Sequence, residues 1–168
     1  MTMKRVFLLA LIIGLILTAA EPRFTESNQL RRPEGYRNWP LVGSSLAMSY
    51  NEAPSQREEF HHVYLDPKAY KQYKSSGTFP DQTILVMEVY SAASQVSINR
   101  QGRFAEKLLR VEAAVKDQRF ADKWAYFHFD EGAATAKAFP KKDCWNCHAE
   151  HAETDNVFTQ FYGVLRAD

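Results

Sequence analysis

The residues with the clearest chemical potential form one short motif, Cys144-Trp145-Asn146-Cys147-His148. This is the C-x-x-C-H pattern of covalent c-type haem attachment. Two thiols three positions apart on one helical turn can each bond a vinyl group on the same edge of a porphyrin. His148, which follows directly, can then offer an imidazole nitrogen to the iron. The motif therefore predicts haem c as the cofactor and His148 as an iron ligand.

A pair of cysteines at this spacing has three other common uses: a structural disulfide, half of a zinc site and a thioredoxin-like redox pair. Cys144 and Cys147 are the only cysteines in the chain, so no second pair completes the four ligands that zinc normally takes. A thioredoxin-type pair is expected early in a chain, near a βαβ pattern, whereas this pair lies near the C-terminus. Haem attachment is the interpretation that the spacing favours.

The N-terminal residues predict a targeting segment. Lys4 and Arg5 form a positive n-region, Val6–Leu17 is an uninterrupted apolar run, and small residues follow it as a cleavage site. A membrane anchor is the alternative, but the run is shorter than the roughly 20 apolar residues that a span needs. We expect residues 1–20 to be a cleaved signal peptide and the mature chain to begin at Glu21. Export to the periplasm fits the motif, because bacteria attach c-type haem outside the cytoplasm.

Size and composition indicate a single haem domain over residues 21–168. The chain has 168 residues, of which 45% are hydrophobic, so it can bury a sizeable core. The formal net charge is +1, and nothing in it points to nucleic acid as a partner.

Hydrophobic periodicity predicts an α+β fold, a mainly antiparallel β-sheet with flanking short helices and a C-terminal haem-binding helix. Alternating, β-branched or aromatic segments predict strands at 41–50, 60–65, 83–90, 96–99, 104–109, 110–116 and 124–129. Asp66-Pro67 predicts the start of a helix that Gly77 ends. The Ala-rich segment 132–142 predicts a partial helix, and apolar residues at helical spacing predict another over 154–165.

Several motifs occur in a fixed order between Tyr36 and Arg166. They are Tyr36-Arg37-Asn38-Trp39, Val63-Tyr64-Leu65-Asp66-Pro67, Gly77-Thr78-Phe79-Pro80-Asp81, Thr83-Ile84-Leu85-Val86-Met87-Glu88, Val111-Glu112-Ala113-Ala114-Val115-Lys116-Asp117, the haem motif and Thr154-Asp155-Asn156-Val157-Phe158-Thr159-Gln160-Phe161-Tyr162. Their order and spacing resemble the cytochrome P-460 superfamily, which includes the β-sheet cytochromes c′-beta. The resemblance implies a homodimer of antiparallel sheets, with one c-type haem per subunit and an open distal site on the iron.

One position departs from the family pattern. Members that oxidise hydroxylamine carry a lysine that bonds covalently to the porphyrin edge, and the resemblance places Met87 at that position. A thioether has no amine, so Met87 cannot form the lysyl link. The substitution favours the c′-beta-like branch, with Met87 beside the haem, and whether Met87 itself bonds to the porphyrin stays open. As an alternative to a role at the haem, Met87 is a gap-filling core residue.

Three further residues are candidates for the distal side of the haem. By resemblance, Glu112 matches a glutamate that handles protons, and His61 matches a position where hydroxylamine-oxidising relatives carry a distal arginine. Phe60 is our candidate for a phenylalanine that caps the distal face. Each has a structural alternative, since Glu112 alternates with apolar neighbours as a solvent-facing strand residue would, and His61 and Phe60 fit an ordinary strand.

Three functions are compatible with these patterns. The chain is expected to be a haem protein that binds NO and activates peroxide at an open iron, with Glu112 or His61 moving the proton. The alternative is hydroxylamine oxidation, with hydroxylamine as substrate. An electron carrier is the third, but carriers usually have a second protein ligand on the iron, and their haem motif tends to lie early in the chain.

Overall fold

The computed structural model describes residues 21–49 and 57–166, so the predicted leader and the loop around Pro54 lie outside the described residues. The strands are β1 (Leu30–Arg31), β2 (Leu41–Leu46), β3 (Glu59–Leu65), β4 (Ile84–Ala93), β5 (Phe104–Lys116), β6 (Trp124–Phe129) and β7 (Thr135–Ala136). The helices are α1 (Pro67–Ser76) and α2 (Trp145–His151). Short 3-10 turns span Tyr36–Asn38, Thr159–Phe161 and Gly163–Leu165. No helix in these two ranges has the length and apolar character needed to cross a membrane.

The main sheet is an antiparallel meander. Its five strands lie side by side in sequence order, β2-β3-β4-β5-β6, and β1 pairs with β7 in a separate two-stranded sheet. The predicted α+β fold with a mainly antiparallel sheet is therefore confirmed.

The central strands are covered on both faces, and alternate residues along each strand point to opposite faces. Val86, Val111 and Phe127 belong to a core on one face of the sheet. Leu85 and Tyr126 belong to a second core on the other face, which α1 and the C-terminal segment help to form. The second face carries the candidate functional residues.

The helix that follows β3 begins and ends where its sequence predicts. Asp66 caps α1 by accepting a hydrogen bond from the Ala69 amide at 2.9 Å, and its second oxygen accepts one from the Ile84 amide at 2.9 Å. Gly77 ends the helix with φ = 69°, a left-handed conformation that favours glycine. The Asp66 carboxylate thus joins α1 to β4 as well as capping the helix.

Three element predictions were wrong. Residues 96–99 form part of the loop between β4 and β5, because Gln95 and Ser97 have positive φ and interrupt extended pairing. The two strands predicted at 104–109 and 110–116 are one continuous strand, β5. Residues 132–142 contain no helix, because left-handed Gly132 and Pro140 enclose a segment too short for a stable helix, and Thr135–Ala136 pair with β1 instead.

The predicted helix over 154–165 is also wrong. Asp155 and Asn156 both take left-handed conformations, with φ = 47° and φ = 60°, and two such residues end any right-handed helix. Only the 3-10 turns at Thr159–Phe161 and Gly163–Leu165 follow. Some apolar residues of this segment are nevertheless buried, since Val157 and Leu165 join the second core, whereas Phe161 and Val164 are exposed.

Glu88 on β4 is a carboxylate that is only 1% exposed, on the face of the sheet opposite the candidate site. Tyr36 donates to its Oε1 at 2.6 Å, and Tyr90 donates to its Oε2 at 2.9 Å. The guanidinium of Arg37 also contacts Oε1, at 2.6 Å. Burial alone raises the pKa of Glu88, but the hydrogen bonds from these donors outweigh it, so the pKa lies below its ordinary value of 4.5. The buried carboxylate is therefore ionised near neutral pH and well satisfied.

Glu88→Gln should lower the free energy of unfolding by about 3 kcal/mol. Glutamine keeps the volume of the side chain but removes the charge that these donors face, and hydrogen bonds to charged groups contribute roughly 1.5–3 kcal/mol each. Urea denaturation of the two proteins at pH 7 measures the difference.

Glu131→Gln is the matched control, because Glu131 is exposed and its loss should change the free energy by less than about 0.5 kcal/mol. Since the pKa of Glu88 is lowered on folding, its stabilisation is complete above pH 4.5 and is lost as the pH falls below that value. The difference between wild type and Glu88→Gln should shrink accordingly in acid. A difference that does not change with pH would contradict this account of Glu88.

Candidate functional site

The C-x-x-C-H motif lies at the start of α2. Cys144 immediately precedes the helix, and the His148 amide donates to the Cys144 carbonyl at 3.2 Å, so the motif occupies a single helical turn. Both thiols are free, with Cys144 partly buried and Cys147 exposed. Burial, reinforced by the nearby Glu112 carboxylate, raises the pKa of the Cys144 thiol to about 11.

The imidazole of His148 is held between two aromatic rings and a carbonyl. The ring centroids of Tyr126 and Phe158 lie 4.3 Å and 4.5 Å from its centroid. Its Nδ1 lies 2.8 Å from the backbone oxygen of Asn156, and because a carbonyl can only accept, Nδ1 carries the proton and donates. Burial lowers the pKa of His148. The ring is therefore neutral, with an unprotonated Nε2 available to a metal.

A tight turn positions the carbonyl that His148 uses. Thr154 and Val157 exchange backbone hydrogen bonds of 2.8 Å and 3.3 Å across Asp155 and Asn156, whose positive φ values define a type I′ turn. Left-handed conformations cost most residues about 1–2 kcal/mol each, and asparagine and aspartate tolerate them best. The periodicity of this segment indicated a helix, while the Asp-Asn pair was the available signal for the turn.

The His148 ring faces a cleft of about 110 Å³ that is open to solvent. From the sheet, its lining includes Val63, Leu85, Met87, Glu112, Ala114 and Tyr126. From the C-terminal segment, its lining includes Cys144, His148, Asn156, Val157 and Tyr162. Of the described residues that line the cleft, only His148 is a histidine. The structure thus brings Cys144, His148, Met87 and Glu112 to one cavity.

Glu112 lies on the cleft side of β5, directly across from Met87 on β4. Its Oε1 accepts a hydrogen bond from Arg110 Nε at 3.0 Å and lies 3.7 Å from His128 Nδ1. Arg110 in turn contacts Glu59 at 3.0 Å. The Glu112 side chain is 30% exposed, so this carboxylate lies at the polar rim of the cleft rather than in apolar surroundings.

His61 and Phe60 on β3 are not among the residues that line the cleft. His61 lines a smaller adjoining pocket, and Val63, Met87 and Tyr162 line both cavities. Burial, followed by the nearby Arg110 guanidinium, lowers the pKa of His61.

Phe60 points to the opposite face of the sheet. Its ring packs 5.8 Å from the ring of His62, which in turn packs 5.4 Å from that of Tyr90, one of the donors to Glu88. Alternation along β3 separates Phe60 from Val63 and therefore from the cleft.

Tyr162 and Asn156 are site residues that the sequence analysis did not single out. The ring of Tyr162 lies against the backbone of Gly43, where a β-carbon would come within 2.5 Å of its Cδ1. The Nδ2 of Asn156 is buried and has no hydrogen-bond partner among the described residues. Both residues belong to the C-terminal motif that carries the family resemblance, but each acquires its role at the cleft only through contacts made by the folded chain.

These groups fit a haem. A c-type haem needs a largely apolar cleft, an imidazole that can bind iron and two thiols that can form thioethers. The cleft, the neutral His148 ring with its Nδ1 fixed, and the free thiols of Cys144 and Cys147 meet these needs. The buried amide of Asn156 adds an unused donor at the cleft. The sheet and the site thus define a protein of the haem-binding class, with a histidine as the candidate iron ligand.

The comparison with protein families agrees with this class. The sequence model of the cytochrome P460 family matches residues 33–159, and the chain belongs to this family. It is therefore a haem-binding cytochrome. A search of curated proteins finds none that matches the chain.

Gly43→Ala should displace Tyr162 and disturb the cleft. The added methyl would overlap the Tyr162 ring at 2.5 Å, and overpacking of this kind costs typically 1–3 kcal/mol. We expect a fall in the free energy of unfolding and a shifted Soret band of the haem-loaded protein. Gly163→Ala is the control, because its β-carbon would make only an ordinary 3.5 Å contact with Arg166. Equal behaviour of the two variants would show that Tyr162 is free to move aside.

Proposed function

We propose that this chain is a mono-haem c-type cytochrome of the cytochrome c′-beta kind, in which His148 is the sole protein ligand of the iron. Haem held by His148 would supply an iron that binds small ligands such as NO and activates hydrogen peroxide. The proposal includes export to the periplasm, supported by the leader pattern of residues 1–20, and assembly as a homodimer, supported by the family resemblance.

The fixed tautomer of His148 is the observation that carries the proposal. Its Nδ1–H donates to Asn156 O at 2.8 Å, which leaves the Nε2 lone pair at the cleft for iron. A hydrogen bond from the outer nitrogen orients a ligating imidazole and raises its basicity. An electron-rich proximal ligand is what peroxide activation needs, so the same bond supports both ligation and reactivity.

The cysteines account for covalent attachment. Addition of each S–H across a vinyl double bond forms a thioether and needs no oxidant. Cys144 is held at the cleft and Cys147 lies one helical turn on, with its thiol accessible. The two thiols therefore fix one edge of the porphyrin to the same turn that supplies His148.

Met87 and Glu112 favour ligand binding and peroxide chemistry over hydroxylamine oxidation. Met87 lines the cleft at the position where hydroxylamine-oxidising relatives have their cross-linking lysine, and a thioether lacks the amine for that link. Bound haem supplies an iron that coordinates NO or peroxide and exchanges electrons with it. Glu112, at the rim beside Arg110, can accept a proton from an incoming peroxide and return it to the departing oxygen.

The protein as isolated from its producing cells should retain its haem through acid–acetone extraction, and its resting spectrum should be high-spin. Addition of NO should shift that spectrum with a single transition, because one axial position is free. Loss of the haem to acid–acetone would contradict covalent attachment, and a low-spin resting spectrum would indicate a second protein ligand. A red-shifted ferrous band together with hydroxylamine turnover would favour the hydroxylamine alternative.

Glu112→Gln should slow the reaction with hydrogen peroxide by at least about tenfold, the cautious side of the usual 10²–10⁴-fold range for general acid–base assistance. Glutamine keeps the shape and the hydrogen bond to Arg110 but cannot carry the proton. Stopped-flow absorption measures the rate. Glu106→Gln, an exposed position on the same strand, is the matched control and should react as wild type does. An unchanged rate in Glu112→Gln would make Glu112 a rim residue without a catalytic role.

A further inference from the structure

We propose that Asp155 is a positioning residue for His148. Lys116 and Trp124 donate hydrogen bonds to Asp155, and Asp155 in turn fixes the position of the Asn156 carbonyl. The hydrogen bond from His148 to this carbonyl sets how strongly the imidazole donates electrons to iron. The inference rests on the proposed role of His148 as iron ligand. It concerns residues outside the C-x-x-C-H motif and on the opposite side of the imidazole from the iron.

Both oxygens of the Asp155 carboxylate are engaged by the sheet. Oδ1 accepts from the indole Nε1 of Trp124 at 3.1 Å, and Oδ2 accepts from the ammonium of Lys116 at 2.6 Å. Lys116 on β5 and Trp124 on β6 are directly paired residues of the main sheet. The ammonium is itself held by the carbonyl of Phe79 at 2.7 Å. A single carboxylate therefore ties the turn to two neighbouring strands.

The turn connects Asp155 to the imidazole of His148 through the Asn156 carbonyl. Asp155 and Asn156 are the two central residues of the type I′ turn, so the direction of the Asn156 carbonyl follows from the backbone that Asp155 anchors. That carbonyl accepts from His148 Nδ1 at 2.8 Å and from the Tyr126 hydroxyl at 3.3 Å. One path from the sheet to the imidazole therefore runs through the Asp155 side chain and the Asn156 peptide group, beside the direct contact that Tyr126 makes with the carbonyl and the ring.

Two donors of the main sheet, Lys116 and Trp124, reach the turn through Asp155, whereas Tyr126 reaches the Asn156 carbonyl directly by a longer bond of 3.3 Å. The turn belongs to no α-helix and to neither sheet, and the Asn156 Nδ2 has no hydrogen-bond partner among the described residues. The amide donor of Asn156 therefore does not hold the turn in place. The backbone bonds between Thr154 and Val157 close the turn but do not attach it to the sheet.

The consequence for the iron follows from the strength of the Nδ1–H···O bond. A short, well-aligned bond gives the imidazole more anionic character and strengthens its bond to iron. Loosening Asp155 lets the carbonyl move away, and the imidazole becomes a weaker donor. Ferric haem is then less favoured relative to ferrous haem.

The test is carried out on the full-length haem-loaded protein with three variants, Asp155→Ala, Lys116→Met and Trp124→Phe. Resonance Raman of the ferrous form reports the iron–imidazole stretch, and a redox titration reports the reduction potential. We expect the stretch to shift to lower wavenumber and the potential to rise in all three variants, most in Asp155→Ala because it loses both anchors. A purely structural role would lower stability without moving either quantity.

Glu34→Gln is the control. Glu34 forms an ion pair with Arg23 at 3.1 Å, and both side chains are mostly exposed, so both readouts should stay at the wild-type values. Unchanged stretch and potential in Asp155→Ala would overturn the inference. If Asp155→Ala does not fold, unchanged values in both Lys116→Met and Trp124→Phe would overturn it instead.

A haem-free measurement separates this inference from the proposed function. The full chain made without haem attachment can be studied by nitrogen-15 NMR, which distinguishes imidazoles protonated on Nδ1 from those protonated on Nε2. In the wild type, His148 should be protonated on Nδ1. In Asp155→Ala, a larger fraction of His148 should be protonated on Nε2. If the tautomer responds in this way but the isolated protein carries no covalent haem, the proposed function fails and the positioning role of Asp155 stands. If the tautomer does not respond, the positioning role fails.

Discussion

The rest of the structure depends on the burial of β4 from both sides. Successive residues of a strand point to opposite faces, so Met87 and Glu88, which are neighbours in the chain, belong to different environments. Met87 lines the cleft, while Glu88 is buried among tyrosines and an arginine on the other face. The charged side chain can be kept in the interior only because donors from the Tyr36–Asn38 turn and from β4 itself reach it. The register that satisfies Glu88 is also the register that points Met87 at the cleft, since a slip by one residue would exchange the two.

The local elements could be predicted wherever the determining signal is itself local. Asp66-Pro67 and Gly77 mark the two ends of α1, alternation marks β3, and a run of aromatic residues marks β6, because caps and strand patterns act over a few residues. The segment 132–142 was predicted incorrectly for the opposite reason. Its alanines favour a helix, but pairing with Leu30–Arg31, far away in the chain, decides its conformation. The turn at Asp155 and Asn156 likewise overrides a helical spacing of apolar residues, of which Val157 and Leu165 are buried without a helix.

The residues of the candidate site divide in the same way, into those that a local pattern predicts and those that only the fold brings together. Cys144 and His148 could be assigned from spacing alone, because one helical turn carries the whole motif. Alternation along β5 placed Glu112 and Ala114 on a common face, and only the fold shows that this face is the cleft. The carbonyl of Asn156 and the ring of Tyr162 have no signature in the sequence, since a backbone oxygen is common to every residue and the ring depends on the missing side chain of Gly43. Phe60, the sequence-based candidate for the distal cap, lies on the face of β3 opposite Val63, and this alternation separates it from the cleft.

The meander has a consequence for how this chain reaches its folded state. Because the strands of the main sheet pair in sequence order, every strand of that sheet pairs with its neighbour along the chain. The contact between Gln29 and Thr135 is different, since it joins residues 106 positions apart and brings β1 to β7. Loop-closure entropy rises with separation, so this small sheet carries the largest ordering cost of the pairings described and is a sensitive reporter of complete folding.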